Sequence, residues 1–239
     1  MPLPKINSKS YTLTLYSKKT LKYRPFLVRE EKLLAEALDS SDTKKITQAI
    51  KSAISNCILD KGVNIESLPI FDLELLFLKI RSHSVDKIAT IQIVAPDDGK
   101  TVVDVNVDLS LVEVVEEDGH SKQIKLDDDL MMEMKYPSLS QFVKLNFNDE
   151  VDQMSYKDSL QLIASCVDKI YTEDEVWTAA DVSNKELLEF LEQMSPKQFK
   201  EIEKFFATMP KLSHEVIVKN PNTDVESPVK LVGLASFFS

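Results

Sequence analysis

The chain has 239 residues, which is enough for one large domain or two smaller ones with well-packed cores. Hydrophobic residues make up 43% of it and charged residues 28%, an ordinary globular composition. The formal net charge of −10 argues against a nucleic-acid-binding protein, which would usually carry a basic face, and it favours a basic partner.

The N-terminal third of the chain is predicted to form a hairpin followed by helices. Its opening, MPLPKINSKS, lacks the apolar segment of a secretory signal, so we expect synthesis inside the cell. Residues 11–15 alternate as YTLTL and residues 21–23 follow a polar turn, a pattern typical of a β-hairpin. Helices are predicted over residues 28–38 and 43–58. The apolar stripe of the second helix consists of Ile46, Ala49, Ile50, Ala53, Ile54, Cys57 and Ile58.

The most apolar segment, residues 68–82, predicts a central helix around which the chain is organised. Its charges are paired seven residues apart, Asp72 with Lys79 and Glu74 with Arg81, and so form two narrow polar lines on opposite sides of a helix. Both faces between these lines are apolar, which predicts a helix covered by two layers. The helix is too short and too charged to span a bilayer. The apolar residues are Leu73, Leu76, Phe77 and Ile80 on one face and Phe71, Leu75 and Leu78 on the other.

A β-rich insert is predicted over residues 87–135, because the hydrophobic period changes there from 3.6 to 2. A turn at residues 95–99 separates the first two strands. The Asp118-Gly119 turn predicts that the third and fourth strands form another hairpin. The predicted strands are residues 88–94, 103–109, 111–115, 123–126 and 130–134.

The C-terminal third is predicted to be helical up to a last hairpin. Capping-box patterns at Ser155, Ser183 and Ser195 begin three of its helices, and an earlier helix is predicted over residues 138–146. The helix that begins at Ser155 is expected to turn Leu160, Ile163, Ala164 and Val167 inward. Residues 171–182 look acidic and irregular, and they contain the single tryptophan, Trp177. The last hairpin is predicted from residues 214–218 and 228–231, on either side of a turn at residues 220–223.

These elements predict an α+β fold with a helical core around the central helix, the β-rich insert, and short N- and C-terminal hairpins. The expected units are residues 1–86, residues 87–136 and residues 137–239, arranged in one or two compact bodies.

The residue spacing reveals no catalytic or metal-binding pattern. His83, His120 and His214 are isolated from one another and from the two cysteines, and Cys57 is expected as a buried thiol. The acidic run at residues 127–129 lacks the spacing and the glycine of a calcium loop. No serine lies in a G-x-S-x-G context. We therefore expect a protein that is not an enzyme, with no catalytic residue, no metal ligand and no cofactor.

The segment LKYRPFLVREEK at residues 21–32 resembles the baseplate hub proteins of T4-type contractile-tailed bacteriophages. The resemblance covers nearly the whole chain. Its motifs are structural, so they indicate membership more strongly than mechanism. In chain order, the other matching segments are the opening MPLPKINSKSYTLTL, the central LPIFDLELLFLKIR, FFATMPKLSH at residues 205–214 and LVGLASFF at residues 231–238.

The resemblance implies a structural or assembly protein of the central hub, either a permanent part or a transient chaperone. It implies contacts with other hub and tail proteins, together with self-association as an open alternative, and no contact with nucleic acid or membrane. The expected location is the host cytoplasm during assembly and the virion tail. The alternative is a tail-associated enzyme such as a cell-wall hydrolase, which predicts a cleft with convergent carboxylates.

Some relatives carry paired cysteines at the two turns that here span residues 95–99 and 220–224, which implies zinc knuckles in those relatives. This chain has no cysteine at either turn. We therefore do not expect this chain to bind a metal at these turns. Its hairpins are expected to be stabilised by their turn residues and by packing.

The C-terminal end is unusually apolar, because chain ends are usually polar and frayed. Leu234, Phe237 and Phe238 are the candidate partner-binding residues. Burying one such side chain stabilises a protein by about 1.5–3 kcal/mol. The end either docks on the chain's own core behind Phe205 and Phe206, or inserts into another hub protein or a second copy.

Overall fold

The protein has the mixed α+β architecture that the sequence predicts. The computed structural model describes residues 7–40, 42–139, 141, 155–178 and 180–237. Its helices there are α1 (Val28–Asp39), α2 (Thr43–Cys57), α3 (Ile70–Ser84), α4 (Tyr156–Ser165), α5 (Asn184–Glu192) and α6 (Pro196–Thr208). Short 3-10 turns span Ile65–Ser67 and Leu234–Phe237.

Helix α3 is buried on both faces, as its sequence pattern predicts. Leu73 and Leu76 on one face and Leu78 on the other are each 0% exposed. A single layer cannot bury apolar residues on both faces of a helix. Strands, helices and the C-terminal 3-10 turn therefore surround this helix. The helix begins after Pro69, two residues later than predicted, where the Ile70 amide donates to the Pro137 carbonyl at 2.8 Å.

The strands form four antiparallel sheets within the described residues. Strands β1 and β2 form the N-terminal hairpin, and β3 and β4 form a second hairpin. A three-stranded sheet has the order β11-β10-β5, and a four-stranded sheet has the order β6-β7-β8-β9. The strands are β1 (Tyr11–Thr14), β2 (Thr20–Tyr23), β3 (Ile88–Val94), β4 (Val102–Asp108), β5 (Glu113–Val115), β6 (Gln123–Lys125), β7 (Met131–Met134), β8 (Val167–Tyr171), β9 (Val176–Thr178), β10 (Lys211–Lys219) and β11 (Glu226–Val232).

The predicted hairpin between residues 111–115 and 123–126 is wrong. The strands exist, but β5 pairs with β10 and β6 pairs with β7, so the Asp118-Gly119 turn separates two sheets. Both strands are three residues long, so their local sequence specifies their pairing only weakly. Strand β5 pairs with the distant β10, whereas β6 pairs with β7, the next strand along the chain. The strands of the β-rich segment consequently belong to three different sheets.

Two expectations for the C-terminal third also change. Residues 171–182 are not irregular throughout, because β8 and β9 form a hairpin in which Trp177 pairs with Ile170. Val167, predicted on the inward face of the helix, instead begins strand β8 and is buried there. The helix predicted over residues 138–146 lies mostly outside the described residues.

Two hydrophobic clusters form the core, and Tyr136 packs against both. The first cluster surrounds α3, and the second lies between the four-stranded sheet and helices α4 to α6. The Tyr136 ring meets Phe71 of the first cluster edge-on at 4.9 Å and stacks on Phe205 of the second at 5.7 Å between ring centroids. This tyrosine therefore joins the central helix to α6 through aromatic contacts.

The segment at residues 21–32 contains a buried ion pair between Arg24 and Glu30. The Arg24 guanidinium donates to both carboxylate oxygens of Glu30, at 2.9 and 3.2 Å, and Glu30 is 0% exposed. Burial alone would raise the pKa of Glu30, but hydrogen bonds from Arg24, Arg29 and the Leu27 amide lower it to about 2. The pair fixes the step from β2 into α1 beside Cys57, whose buried thiol has its pKa raised to about 12 by desolvation.

Candidate protein–protein interaction site

The C-terminal candidate residues lie in the chain's own core. Leu234 is 1% exposed and Phe237 is 0% exposed, within the cluster around α3. Gly233, at φ +76°, turns the chain from β11 into the 3-10 turn, and its amide donates to the Leu212 carbonyl at 2.9 Å. Phe238 lies outside the described residues.

This placement favours the docked alternative, because side chains buried in this way do not reach a partner. The docking position differs from the expected one. Phe205 belongs to the second cluster, whereas Leu234 and Phe237 complete the first.

The turns at residues 95–99 and 220–224 contact each other through polar side chains. The Asn220 amide donates to both carboxylate oxygens of Asp97, at 3.0 and 3.1 Å, and to Asp98 at 3.0 Å. The Thr223 hydroxyl also donates to Asp97, and Asn220 is 0% exposed. Hydrogen bonds between side chains therefore join the tips of the two hairpins.

The carboxylates at this contact are held in their charged form. Hydrogen bonds from Thr223 and then Asn220 lower the pKa of Asp97. Hydrogen bonds from Thr101, followed by the Lys100 amide and Asn220, lower the pKa of Asp98. Within the described residues, no group of three or more His, Cys, Asp or Glu side chains is placed to hold a metal ion.

His120 takes part in the contact between the two clusters. Its Nδ1 lies 3.0 Å from Thr208 Oγ1, and its Nε2 lies 3.0 Å from Tyr136 Oη. The Thr208 hydroxyl donates to the Lys204 carbonyl at 2.8 Å, so Nδ1 must carry the proton that Thr208 accepts. In the neutral ring, Nε2 then accepts from the Tyr136 hydroxyl. The histidine is therefore a partly buried, hydrogen-bonded residue where the two clusters meet.

Charge is distributed unevenly along the chain. Residues 1–67 contain twelve Lys and Arg against seven Asp and Glu. Residues 87–239 contain fifteen Lys and Arg against 29 Asp and Glu. The overall charge of −10 therefore combines a basic N-terminal part with a strongly acidic remainder.

Four exposed lysines form a basic patch on the N-terminal hairpin and the loop beside it. The loop is held against β2, because the Leu59 amide donates to the Lys22 carbonyl at 2.8 Å and the Lys22 amide donates to Asp60 at 2.6 Å. Within the described residues, none of the four has a carboxylate oxygen within 4.0 Å of its ammonium nitrogen. The basic patch consists of Lys18, Lys19, Lys22 and Lys61.

The four-stranded sheet carries two acidic turns at one end. The register pairs Lys125 with Met131, and it pairs Met131 with Tyr171. The turns that follow Lys125 and Tyr171 therefore leave the same end of the sheet, which we call the acidic end. One of its carboxylates, Asp128, pairs with Lys125 at 3.0 Å. The exposed acidic residues of these turns are Asp127, Asp128, Asp129, Glu173, Asp174 and Glu175.

Strand β9 is the edge of this sheet beside the acidic end. It pairs only with β8 among the described residues, so one side of its backbone is open. Its Val176 is 57% exposed and its Trp177 is 36% exposed. An edge of this kind offers both backbone hydrogen bonds and apolar surface to a partner.

A cleft of about 580 Å³ lies between the β6 region and helix α6. Both lysines and carboxylates line the cleft. The carboxylate of Asp128 pairs with Lys125, and the Asp128 side chain is 94% exposed. The charged lining residues are Lys125, Asp127, Asp128, Lys197, Glu201 and Lys204. The cleft is therefore lined mainly by polar and charged side chains.

None of the helices in the described part of the chain is long and apolar enough to cross a membrane.

Comparison with known proteins gives a family for the whole fold. No curated protein and no solved structure matches the chain significantly. A family model described as T4 bacteriophage base plate protein matches residues 8–239. That match includes every element described above, and the chain therefore belongs to the T4 bacteriophage base plate protein family.

Proposed function

We propose that this protein is a non-enzymatic structural or assembly component of the central baseplate hub and that it acts by binding other tail proteins. The observation that carries the proposal is the family match over residues 8–239. The hub position is supported by the resemblance of residues 21–32 and 68–81 to hub proteins. Its expected location is the host cytoplasm during assembly and the virion tail.

The segments that carry the hub resemblance serve packing. Arg24 and Glu30 form a buried pair, and the segment at residues 68–81 is the doubly covered helix α3. These segments set the shape of the protein and leave contact with partners to the exposed surface. The charged and apolar features of that surface are the basic patch, the acidic end and the edge of β9.

Among the described residues, no feature specifically favours the enzymatic alternative, a cell-wall hydrolase. Glycoside hydrolysis uses two carboxyl groups, one of them kept protonated by apolar surroundings. The cleft beside α6 instead presents Asp128 in a solvated ion pair with Lys125. We therefore interpret this cleft as part of the solvent-exposed surface and not as a catalytic site.

Two measurements test the proposal. A phage whose copy of this gene carries a nonsense codon should fail to make complete baseplates, and complementation with the intact gene should restore them. Normal baseplates in the mutant would contradict the proposal. Purified protein should leave peptidoglycan turbidity unchanged, and a loss of turbidity that tracks with the protein would support the hydrolase. Mass spectrometry of purified virions then separates a permanent component, which is present, from a chaperone, which is absent.

A further inference from the structure

The basic patch and the acidic end are complementary surfaces that do not neutralise each other within one chain. The four lysines of the patch have no carboxylate partner in the described structure. Of the six carboxylates at the acidic end, Asp128 alone has a basic partner within 4.0 Å there. Each surface therefore carries a largely uncompensated charge into solvent.

Apolar side chains next to each of the two surfaces are also exposed to solvent. Leu59, next to the patch, is 49% exposed. Val176 and Trp177 on the edge of β9 border the acidic end. Charge at the rim and apolar or aromatic side chains nearby are the usual composition of a protein–protein interface.

We propose that copies of this chain associate head to tail, with the basic patch of one copy on the acidic end and β9 edge of the next. A second copy is the occupant because each copy carries both the basic patch and the acidic end, so two copies supply opposite charges to the contact. The two surfaces differ, so the contact is heterologous, and it closes into a ring or continues into a chain of copies. The inference does not depend on the proposed hub function.

Salt dependence is the first test. Sedimentation velocity of the full chain at about 5–200 µM should show species larger than the monomer in about 50 mM NaCl. In about 500 mM NaCl the screening length falls from about 14 Å to about 4 Å, and we expect association to weaken about tenfold or more. A monomer at both salt concentrations, or association that salt does not weaken, would overturn the proposal.

A charge exchange is the second test, and it identifies the surfaces. A patch variant replaces Lys18, Lys19, Lys22 and Lys61 with Glu. An end variant replaces Asp127, Asp129, Glu173 and Glu175 with Lys, and it leaves the Asp128–Lys125 pair in place. Each variant alone presents like charges on both surfaces, so each should sediment as a monomer.

Mixing the two variants restores opposite charges across the contact, and we expect association to return at low salt. This result would also show that both variants are folded. A matched control replaces with Glu four exposed lysines that belong to neither surface, namely Lys32, Lys157, Lys185 and Lys230, with the same change in net charge as the patch variant. The control should associate like the unmodified chain. Association of the patch variant alone, a monomeric mixture or a monomeric control would each refute the proposed contact.

Discussion

The side-chain amide of Asn220 donates to both carboxylate oxygens of Asp97, across 123 residues of chain. This contact joins the tip of the β3–β4 hairpin to the tip of the β10–β11 hairpin. The amide is fully buried, whereas the Asp97 side chain is exposed on its outer side. Charge-assisted hydrogen bonds from a buried donor therefore link the two hairpin tips.

Replacing Asn220 with Ala should lower the melting temperature by about 3–6 °C, because Asp97 and Asp98 lose charge-assisted hydrogen bonds from a buried donor. Differential scanning calorimetry measures the shift. Asn222→Ala is the matched control, since its exposed side chain makes one bond to Thr101 at 2.9 Å and its loss should cost much less. Equal shifts in the two variants would show that the contact at Asn220 has no special role.

The Asn220 contribution should also depend on pH. Hydrogen bonds at the contact lower the pKa of both Asp97 and Asp98, so the stabilisation is complete above the ordinary aspartate pKa of about 3.9. It is lost as the pH falls through the lowered folded-state values. The difference in melting temperature between wild type and Asn220→Ala should therefore shrink at low pH, and a constant difference would be inconsistent with a charged contact.

The central helix gives a prediction about each of its faces. Leu76 and Leu78 lie on different faces and are both 0% exposed. Replacing either with Asp would bury an uncompensated charge at a cost of several kcal/mol, comparable with the whole stability of a domain. We expect both variants to be insoluble, measured as the soluble fraction after expression. Val28→Asp, at a 79% exposed position, is the control, and a soluble Leu78→Asp protein would mean that this face tolerates water.

His120 predicts a loss of stability in mildly acidic solution. Burial lowers the pKa of His120, helped by Lys122 and opposed by Glu116. The folded protein therefore favours the neutral ring, and its stability falls as the pH drops below the ordinary histidine value near 6.5. The change should be at most a few degrees of melting temperature, since the ring is only partly buried.

Melting curves between about pH 7.5 and 5 test this expectation. His120→Gln should flatten the pH dependence, because glutamine does not titrate. His214→Gln is the control for removing a histidine elsewhere in the chain. If His120→Gln retains the wild-type slope, another group is responsible.

Local patterns predicted most elements of this fold and its N- and C-terminal hairpins, but not the strand pairs that join distant parts of the chain. The two faces of α3 are visible in the spacing of its charges, because a helix repeats every 3.6 residues regardless of its surroundings. Val114 pairs with Leu212, 98 residues later, and no turn signal encodes a contact at that distance. The Asn220–Asp97 contact has the same origin. Asparagine and aspartate are ordinary turn residues, and only the folded chain brings these two turns together.

The C-terminal residues give the last prediction, which separates docking from partner binding. Leu234 and Phe237 complete the core around α3, so replacing Phe237 with Ala should cost about 3–5 kcal/mol and lower the melting temperature by roughly 10 °C or more. Partner binding by Leu234, Phe237 and Phe238 requires the end of the chain to leave that core. Deleting residues 234–239 then distinguishes the two roles.

A docked end predicts a lower melting temperature for the deletion, together with unchanged co-purification of other tail proteins from infected cells at a temperature where the shortened chain is still folded. An anchor predicts the reverse, unchanged melting and lost co-purification. Ser236→Ala is the control within the same turn, because its half-buried side chain bonds only to the Val232 carbonyl, at 2.7 Å, among the described residues. Since the burial of Leu234 and Phe237 favours docking, we expect the first result. Loss of both stability and co-purification would mean that the end docks in the free protein and undocks to bind.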